Sequence, residues 1–222
     1  QTSLLYGLNL IEIYSFKEAY PLFQIWLGRV HIYNKNVRTG VKILKNFNKN
    51  KEALLYLAEG YYFLKDKTRA LIHIEKANVL QESVQITLYE KISWLNGYSH
   101  IEGFCLTASK KREILQRYIR SFRAFLLSLY GDVKESLKEF KELTANNFDT
   151  EGDINKSLCN FLYYLSLPKY KNKEAKTADK VTILNRALAQ LQDSTNRIEY
   201  HMDKTLFQNK NYWNHELITE AK

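Results

Sequence analysis

The stretch LAEGYYFLKDKTRALIHIEKA, Leu57 to Ala77, sets small residues (Ala58, Ala70, Ala77) at fixed distances from bulky ones (Tyr61, Ile74). A lone surface helix needs only an apolar stripe recurring every three or four residues. Two helices pressed together need more: small side chains where the backbones approach, and large ones filling the neighbouring grooves. The spacing therefore predicts a helical hairpin, and the hairpin recurs. Leu27, Gly28, His31, Gly40, Leu44 and Phe47 repeat the pattern thirty residues earlier, and Ala124, Leu127, Ser136, Phe140 and Leu143 repeat it 66 residues later. In the later copy, Leu129-Tyr130-Gly131-Asp132 puts a glycine where one helix must end and an aspartate where the next can be capped, much as Lys65-Asp66 does.

The rest of the chain agrees with an all-α reading. Only two prolines and eight glycines occur in 222 residues, too few turn formers for a many-stranded fold. A helix is expected from Leu4 to Tyr20, stopping at Pro21 and covering the open end of the first hairpin. Leu88, Ile92 and Leu95 stand at helical spacing within residues 84–103. TANNFDTEGD, from Thr144, reads as a loop, and Lys156 to Leu167 as an apolar helix ended by Pro168. KYKNKEAKTADK, Lys169 to Lys180, is charged and nearly free of apolar residues, so it is expected to be mobile. A long helix is expected after it, with Leu184, Leu188, Leu191, Ile198 and Met202 on one face and an interruption at Thr195. The expected organisation is thus a helical array over 1–167, a mobile linker over 168–180, and a C-terminal helix or cap over 181–222 packing on the array.

A small residue and an aromatic in the first helix, a short turn, then small, large and small in the second resembles the tetratricopeptide repeat, whose units are about 34 residues long. The resemblance is carried by Leu57, Ala58, Tyr61, Ala70, Ile74 and Ala77, without the tryptophan and proline that often bound such a unit. The earlier copy departs from it at Gly40 and Phe47, and the later one has Arg123 in place of the leucine. The resemblance implies a right-handed array of antiparallel helical hairpins, a solenoid closed by the C-terminal helix as a cap. It also implies that the first helices of the hairpins line a concave groove. By that register the lining residues are Leu22, Ile25, Arg29, Ile32 and Tyr33 from one copy and Glu52, Leu55, Glu59, Tyr62 and Phe63 from the next. Some members of this family clamp an acidic C-terminal peptide with Lys, Asn and Arg. Here Ile25, Arg29, Leu55 and Glu59 occupy those positions, so such a clamp is not expected.

The formal charge is +9, and residues 1–50 supply more than half of it, with seven Lys or Arg against two Glu. A basic surface attracts nucleic acid, anionic lipid or an acidic protein. A second basic feature is Lys110, Arg117, Arg120 and Arg123, which share or adjoin one helix face: either an anion-binding stripe, or a solvated face balanced by Glu113 and by Glu135 or Glu139. Cys105 and Cys159 match no metal spacing and read as small buried apolar residues rather than a disulfide. His31, His73, His100, His201 and His215 are scattered, and His215-Glu216 has Thr219 where a zinc-protease motif needs its second histidine. No phosphate loop, catalytic set or cofactor motif is recognisable, so an enzyme is not expected.

The expectation is therefore a non-enzymatic interaction adaptor or scaffold, holding a helix or extended segment of a partner protein in its groove and supporting a complex. The alternative is a basic helical protein that binds nucleic acid or an anionic membrane surface. No apolar run reaches the roughly 18 residues of a membrane span, so this sequence is expected to be soluble. It starts at Gln1 with its only methionine at Met202, which leaves room for a removed signal or anchor and does not choose a compartment.

Overall fold

A computed structural model describes residues 20–81, 108–145, 156–169, 177–196 and 212–221, together with Asn9, Lys204, Thr205, Phe207 and Gln208. Every element among them is helical. In chain order these are α1 (Tyr20–Tyr33), α2 (Val37–Leu44) with a short 3-10 extension (Lys45–Phe47), α3 (Lys51–Phe63) and α4 (Lys67–Val79). They are followed by α5 (Ala108–Tyr130), α6 (Val133–Ala145), α7 (Lys156–Ser166) with a 3-10 turn (Leu167–Lys169), α8 (Thr177–Asn196) and α9 (Tyr212–Glu220). The chain divides into two compact units, Gln1–Leu115 and Gln116–Lys222. The helices expected at 84–103 and, apart from Asn9 and Tyr20, at 4–20 lie outside the described residues, as do Cys105, Ile198 and Met202.

In the first unit the turns show the repeat most plainly. The amides of Asn34, Lys35, Asn36 and Gly40 donate to the carbonyls of Val30, Ile32, His31 and Asn36. Thirty residues on, those of Leu64, Lys65, Asp66 and Ala70 donate to Gly60, Tyr62, Tyr61 and Asp66 in the same order. Both turns put a lysine in the left-handed region, Lys35 at φ 66° and Lys65 at φ 61°. The second turn is capped by Asp66, whose Oδ1 accepts from the Arg69 amide at 3.0 Å, and α3 is capped by Asn50, which accepts from the Ala53 amide at 2.9 Å. Asn36 makes no such side-chain bond.

The small residues lie where the helices meet. A Cβ on Gly40 would stand 2.5 Å from the Gly28 carbonyl oxygen, and one on Gly28 would stand 2.6 Å from Leu44 Cγ, so α1 and α2 touch almost backbone to backbone. A Cβ on Gly60 would meet Val41 Cγ2 at 2.6 Å and Ile32 Cδ1 at 3.1 Å, which seats α3 against both preceding helices. Ala58, Tyr61, Ala70, Ile74 and Ala77 are all buried, which completes the same contact between α3 and α4. Every residue of α3 from Ala53 to Tyr61 is buried, so this helix is covered on all faces.

The second unit is organised around α7, where the six consecutive residues Ser157 to Leu162 are buried. Ser166 Oγ lies 3.1 Å from Ser128 Oγ of α5, and the Tyr163 ring stacks on Phe140 of α6 at 4.8 Å. Asn160 Nδ2 donates to Gln190 Oε1 of α8 at 2.8 Å, and the Tyr164 hydroxyl donates to Glu220 of α9 at 2.8 Å. Trp213 of α9 meets the rings of Phe122 and Phe125 edge-on, at 6.2 and 6.1 Å between centroids. Between α5 and α6 the spacing read from the sequence holds: Ala124, Leu127, Ser136, Phe140 and Leu143 are buried, and Ser136 Oγ donates to the Ala124 carbonyl at 2.7 Å. Asp132 caps α6 by accepting from the amides of Lys134 and Glu135.

Three local expectations change. α6 continues through Thr144 to Ala145, with the Thr144 hydroxyl bonded to the Phe140 carbonyl at 2.8 Å. α8 begins at Thr177, so the last residues of the charged stretch are helical. Thr195 does not interrupt the buried stripe of α8 but extends it: Ala187, Leu191 and Thr195 are all buried, and the Thr195 hydroxyl is satisfied by the Leu191 carbonyl at 2.8 Å. Cys159 is fully buried.

Candidate functional site

Of the groove positions named from the sequence, the polar ones converge in one place. Arg29 and Tyr33 are four apart on α1, while Glu52, Tyr56 and Glu59 follow at four and three on α3, so each set forms one helical stripe. The Arg29 guanidinium lies 5.1 Å from the Tyr33 ring centroid and 4.5 Å from that of Tyr56, and its Nη2 donates to the Tyr33 hydroxyl at 3.3 Å. The Tyr33 hydroxyl in turn is 3.2 Å from each oxygen of Glu59, to which it donates. The Tyr56 hydroxyl donates to Glu52 Oε1 at 2.6 Å.

Glu59 is 0 % exposed, and an isolated buried carboxylate would be costly unless hydrogen-bonded and charge-compensated. Tyr33 supplies a hydrogen bond, and the Arg29 cation lies against the Tyr33 and Tyr56 rings. The Tyr56 phenol is pushed well above its usual range, first by burial and then by the Glu52 carboxylate, while Arg29 pulls the other way. The cluster ties α1 to α3 through the Tyr33–Glu59 hydrogen bonds and the Arg29–Tyr56 contact.

The apolar groove positions end elsewhere. Leu22, Ile25, Ile32 and Leu55 are buried in the first unit's core, and Glu59 with them, so these residues do not line an open concave face. The physical reason is visible in Leu54-Leu55-Tyr56-Leu57: four consecutive apolar residues cannot share one side of a helix, so α3 must be covered all round. Tyr62 and Phe63, at the end of α3, are the groove residues that remain partly exposed without joining the cluster. Their rings lie 5.4 Å apart, and the Lys65 ammonium sits 5.8 Å from the Tyr62 ring.

The stripe on α5 has a different fate. Arg123 pairs with Glu135 and, at 3.1 Å, with Glu139, while Arg120 pairs with Glu139 and, at 2.9 Å, with Glu142. Glu135, Glu139 and Glu142 occupy one face of α6, so the two helices carry a matched lattice of charge. Arg120 and Arg123 are thus committed within the unit and do not present a bare stripe to an external anion. Arg117 is part-buried, and the Lys110 side chain lies outside the described residues.

His73 is held structurally: its Nδ1 is 2.8 Å from the Arg69 carbonyl oxygen and its ring is 5.0 Å from that of Tyr61. Among the described residues no group of three His, Cys, Asp or Glu side chains could hold a metal ion, and no helix is long and apolar enough to cross a membrane.

Both units are thus helical assemblies built around one buried helix. Residues 103–222 match the profile of the TP_0123_C family, described as a C-terminal domain, and the chain belongs to that family. The matched span contains the whole second unit and leaves α1 to α4 outside it. No curated protein and no solved structure matches the chain.

Proposed function

We propose that this chain is a non-enzymatic adaptor or scaffold whose hairpins form a right-handed, tetratricopeptide-like array, and that it binds a helix or extended segment of a partner protein and supports the assembly of a complex. The observation that supports this reading is the repetition within the first unit. Two hairpins thirty residues apart share the same backbone hydrogen bonds at the turn, a left-handed lysine in it, and buried small residues at two matching positions, Gly28 and Gly40 in one and Ala58 and Ala70 in the other. Stacked units of this kind expose a continuous surface rather than a single reactive pocket. The binding surface in this proposal centres on Tyr62 and Phe63. They are partly exposed aromatic side chains on a helix otherwise locked in place, and such rings dominate many interfaces because they bury much area at little entropic cost.

The test is affinity capture from an extract of the source cells, with wild type and with the Tyr62→Ala, Phe63→Ala double variant, folding of both being checked by circular dichroism. The proposal expects a partner retained by wild type and lost by a folded double variant. An unchanged set of captured proteins would contradict it.

A further inference from the structure

No aspartate or glutamate occurs between Ala19 and Lys51, a stretch that holds Arg29, Lys35, Arg38, Lys42, Lys45, Lys49 and Lys51. Arg29 is taken up by the cluster with Tyr33 and Glu59. Arg38, Lys42 and Lys45 recur at intervals of four and three along α2 and the start of its 3-10 extension, which places them on one face, Lys49 follows in the turn before α3, and all four are exposed. Among the described residues none of these four makes an ion pair, in contrast to Arg120 and Arg123.

On α4 the outward residues are Arg69, Ile72, Lys76 and Val79, again one helical face. Ile72 is 45 % exposed and Val79 74 %. Arg69 is engaged by Asp66 at 3.4 Å, and Lys76 is exposed. α2 and α4 both pack on α3 within the first unit, as the second helices of its two hairpins. α2 thus presents cations with no ion pair among the described residues, and α4 presents the exposed Lys76 beside Ile72 and Val79, with the partly exposed Glu75 next to them.

Cations alone suit any polyanion, but the aliphatic pair narrows the choice. Ile72 and Val79 have no group that could hydrogen-bond a base, and neither can stack on one as an aromatic ring does. They gain only by leaving water for an apolar medium. A phospholipid surface offers both parts together, phosphates outside and hydrocarbon beneath. We propose that the outer faces of α2 and α4 dock on an anionic phospholipid surface, with the cations of both helices on lipid phosphates and Ile72 and Val79 entering the interface. This inference uses a different face from Tyr62 and Phe63 and does not depend on the adaptor reading.

The test is co-sedimentation of the full chain with vesicles of phosphatidylglycerol mixed with phosphatidylcholine, and with vesicles of phosphatidylcholine alone. Binding is expected only to the anionic vesicles and is expected to weaken as salt is raised. Substituting Lys42, Lys45 and Lys76 by Gln lowers partitioning by about fivefold per cation removed, roughly a hundredfold together. Removing the same charge by Lys134→Gln, Lys138→Gln and Arg186→Gln leaves partitioning near wild type, as does the Tyr62→Ala, Phe63→Ala variant. Ile72→Ser with Val79→Ser lowers it by about tenfold. The proposal is overturned by absence of binding at low salt, or by equal losses in the two charge triplets. Tighter binding to RNA or duplex DNA than to the vesicles, with the Ile72 and Val79 changes silent, overturns it as well.

Discussion

Lys35 and Lys65 occupy left-handed backbone that costs an L-residue about 1 kcal/mol or more, whereas glycine adopts it without a Cβ clash. Lys35 is exposed and, among the described residues, has no ion-pair partner, so its side chain contributes little to offset that cost. Lys35→Gly is therefore expected to raise the unfolding free energy by about 0.5–1 kcal/mol, measured as a shift of the urea midpoint at unchanged slope. A destabilised Lys35→Gly protein would contradict the strained-turn account. Gly131, in the corresponding place between α5 and α6, makes that turn look in the sequence like the clearest of the three, yet its φ is not in the left-handed region. Sequence identifies where a helix stops here, but not which backbone path stops it.

His73 brings a pH dependence whose sign follows from its surroundings. Burial lowers its proton affinity below the ordinary 6.5, the hydrogen bond with the Arg69 carbonyl opposes this, and Lys76, Lys45 and Arg69 reinforce it. The native state thus binds the proton less well than the unfolded chain. Stability from this group is complete above about pH 6.5 and falls as pH drops below it, through the window between the unfolded and the lowered native value. Urea midpoints of wild type and His73→Gln at pH 5.5 and 7.5 should show a smaller acid loss in the variant. An equal loss in both would remove His73 as a contributor.

At the level of elements, the Arg–Glu lattice between α5 and α6 is the clearest case of function-like chemistry that turns out to hold the fold. Arg123 and Glu139 have side chains only 11 % and 14 % exposed, so removing one charge strands the other in a poorly solvated place. Glu139→Gln is expected to destabilise by about 1–3 kcal/mol, and the paired change Arg123→Met, Glu139→Leu to recover most of that loss in denaturant titrations. A neutral Glu139→Gln would mean that Arg120 and Arg123 are satisfied without it. The balance was legible beforehand, because Glu135, Glu139 and Glu142 repeat with the helical period opposite the arginines across a short turn. The burial of α3 was also legible, in Leu54-Leu55-Tyr56-Leu57, although the repeat register alone suggests an open face at Leu55 and Glu59. Periodicity tells which residues share a stripe. It does not tell how many stripes are covered, and that depends on neighbours contributed by distant parts of the chain.

For the whole molecule, the all-helical class follows from scarce turn formers and recurring small residues, and the helices are built accordingly. The candidate site was harder to read. The sequence places Arg29, Tyr33, Glu52 and Glu59 on facing stripes, but only three dimensions show that Tyr33 joins Arg29 to Glu59, that Tyr56 takes up Glu52, and that Tyr62 and Phe63 stay partly exposed outside this cluster. The central claim is that these two rings meet another protein. Site-specific photocrosslinking in the source cells addresses it directly, with a benzophenone amino acid placed at Phe63 and, as a control, at Val181, which is 55 % exposed in the second unit. The account predicts a discrete adduct of one size from position 63, lost when Tyr62→Ala is added, and no such adduct from position 181. No adduct from position 63, or the same products from both positions, would contradict it.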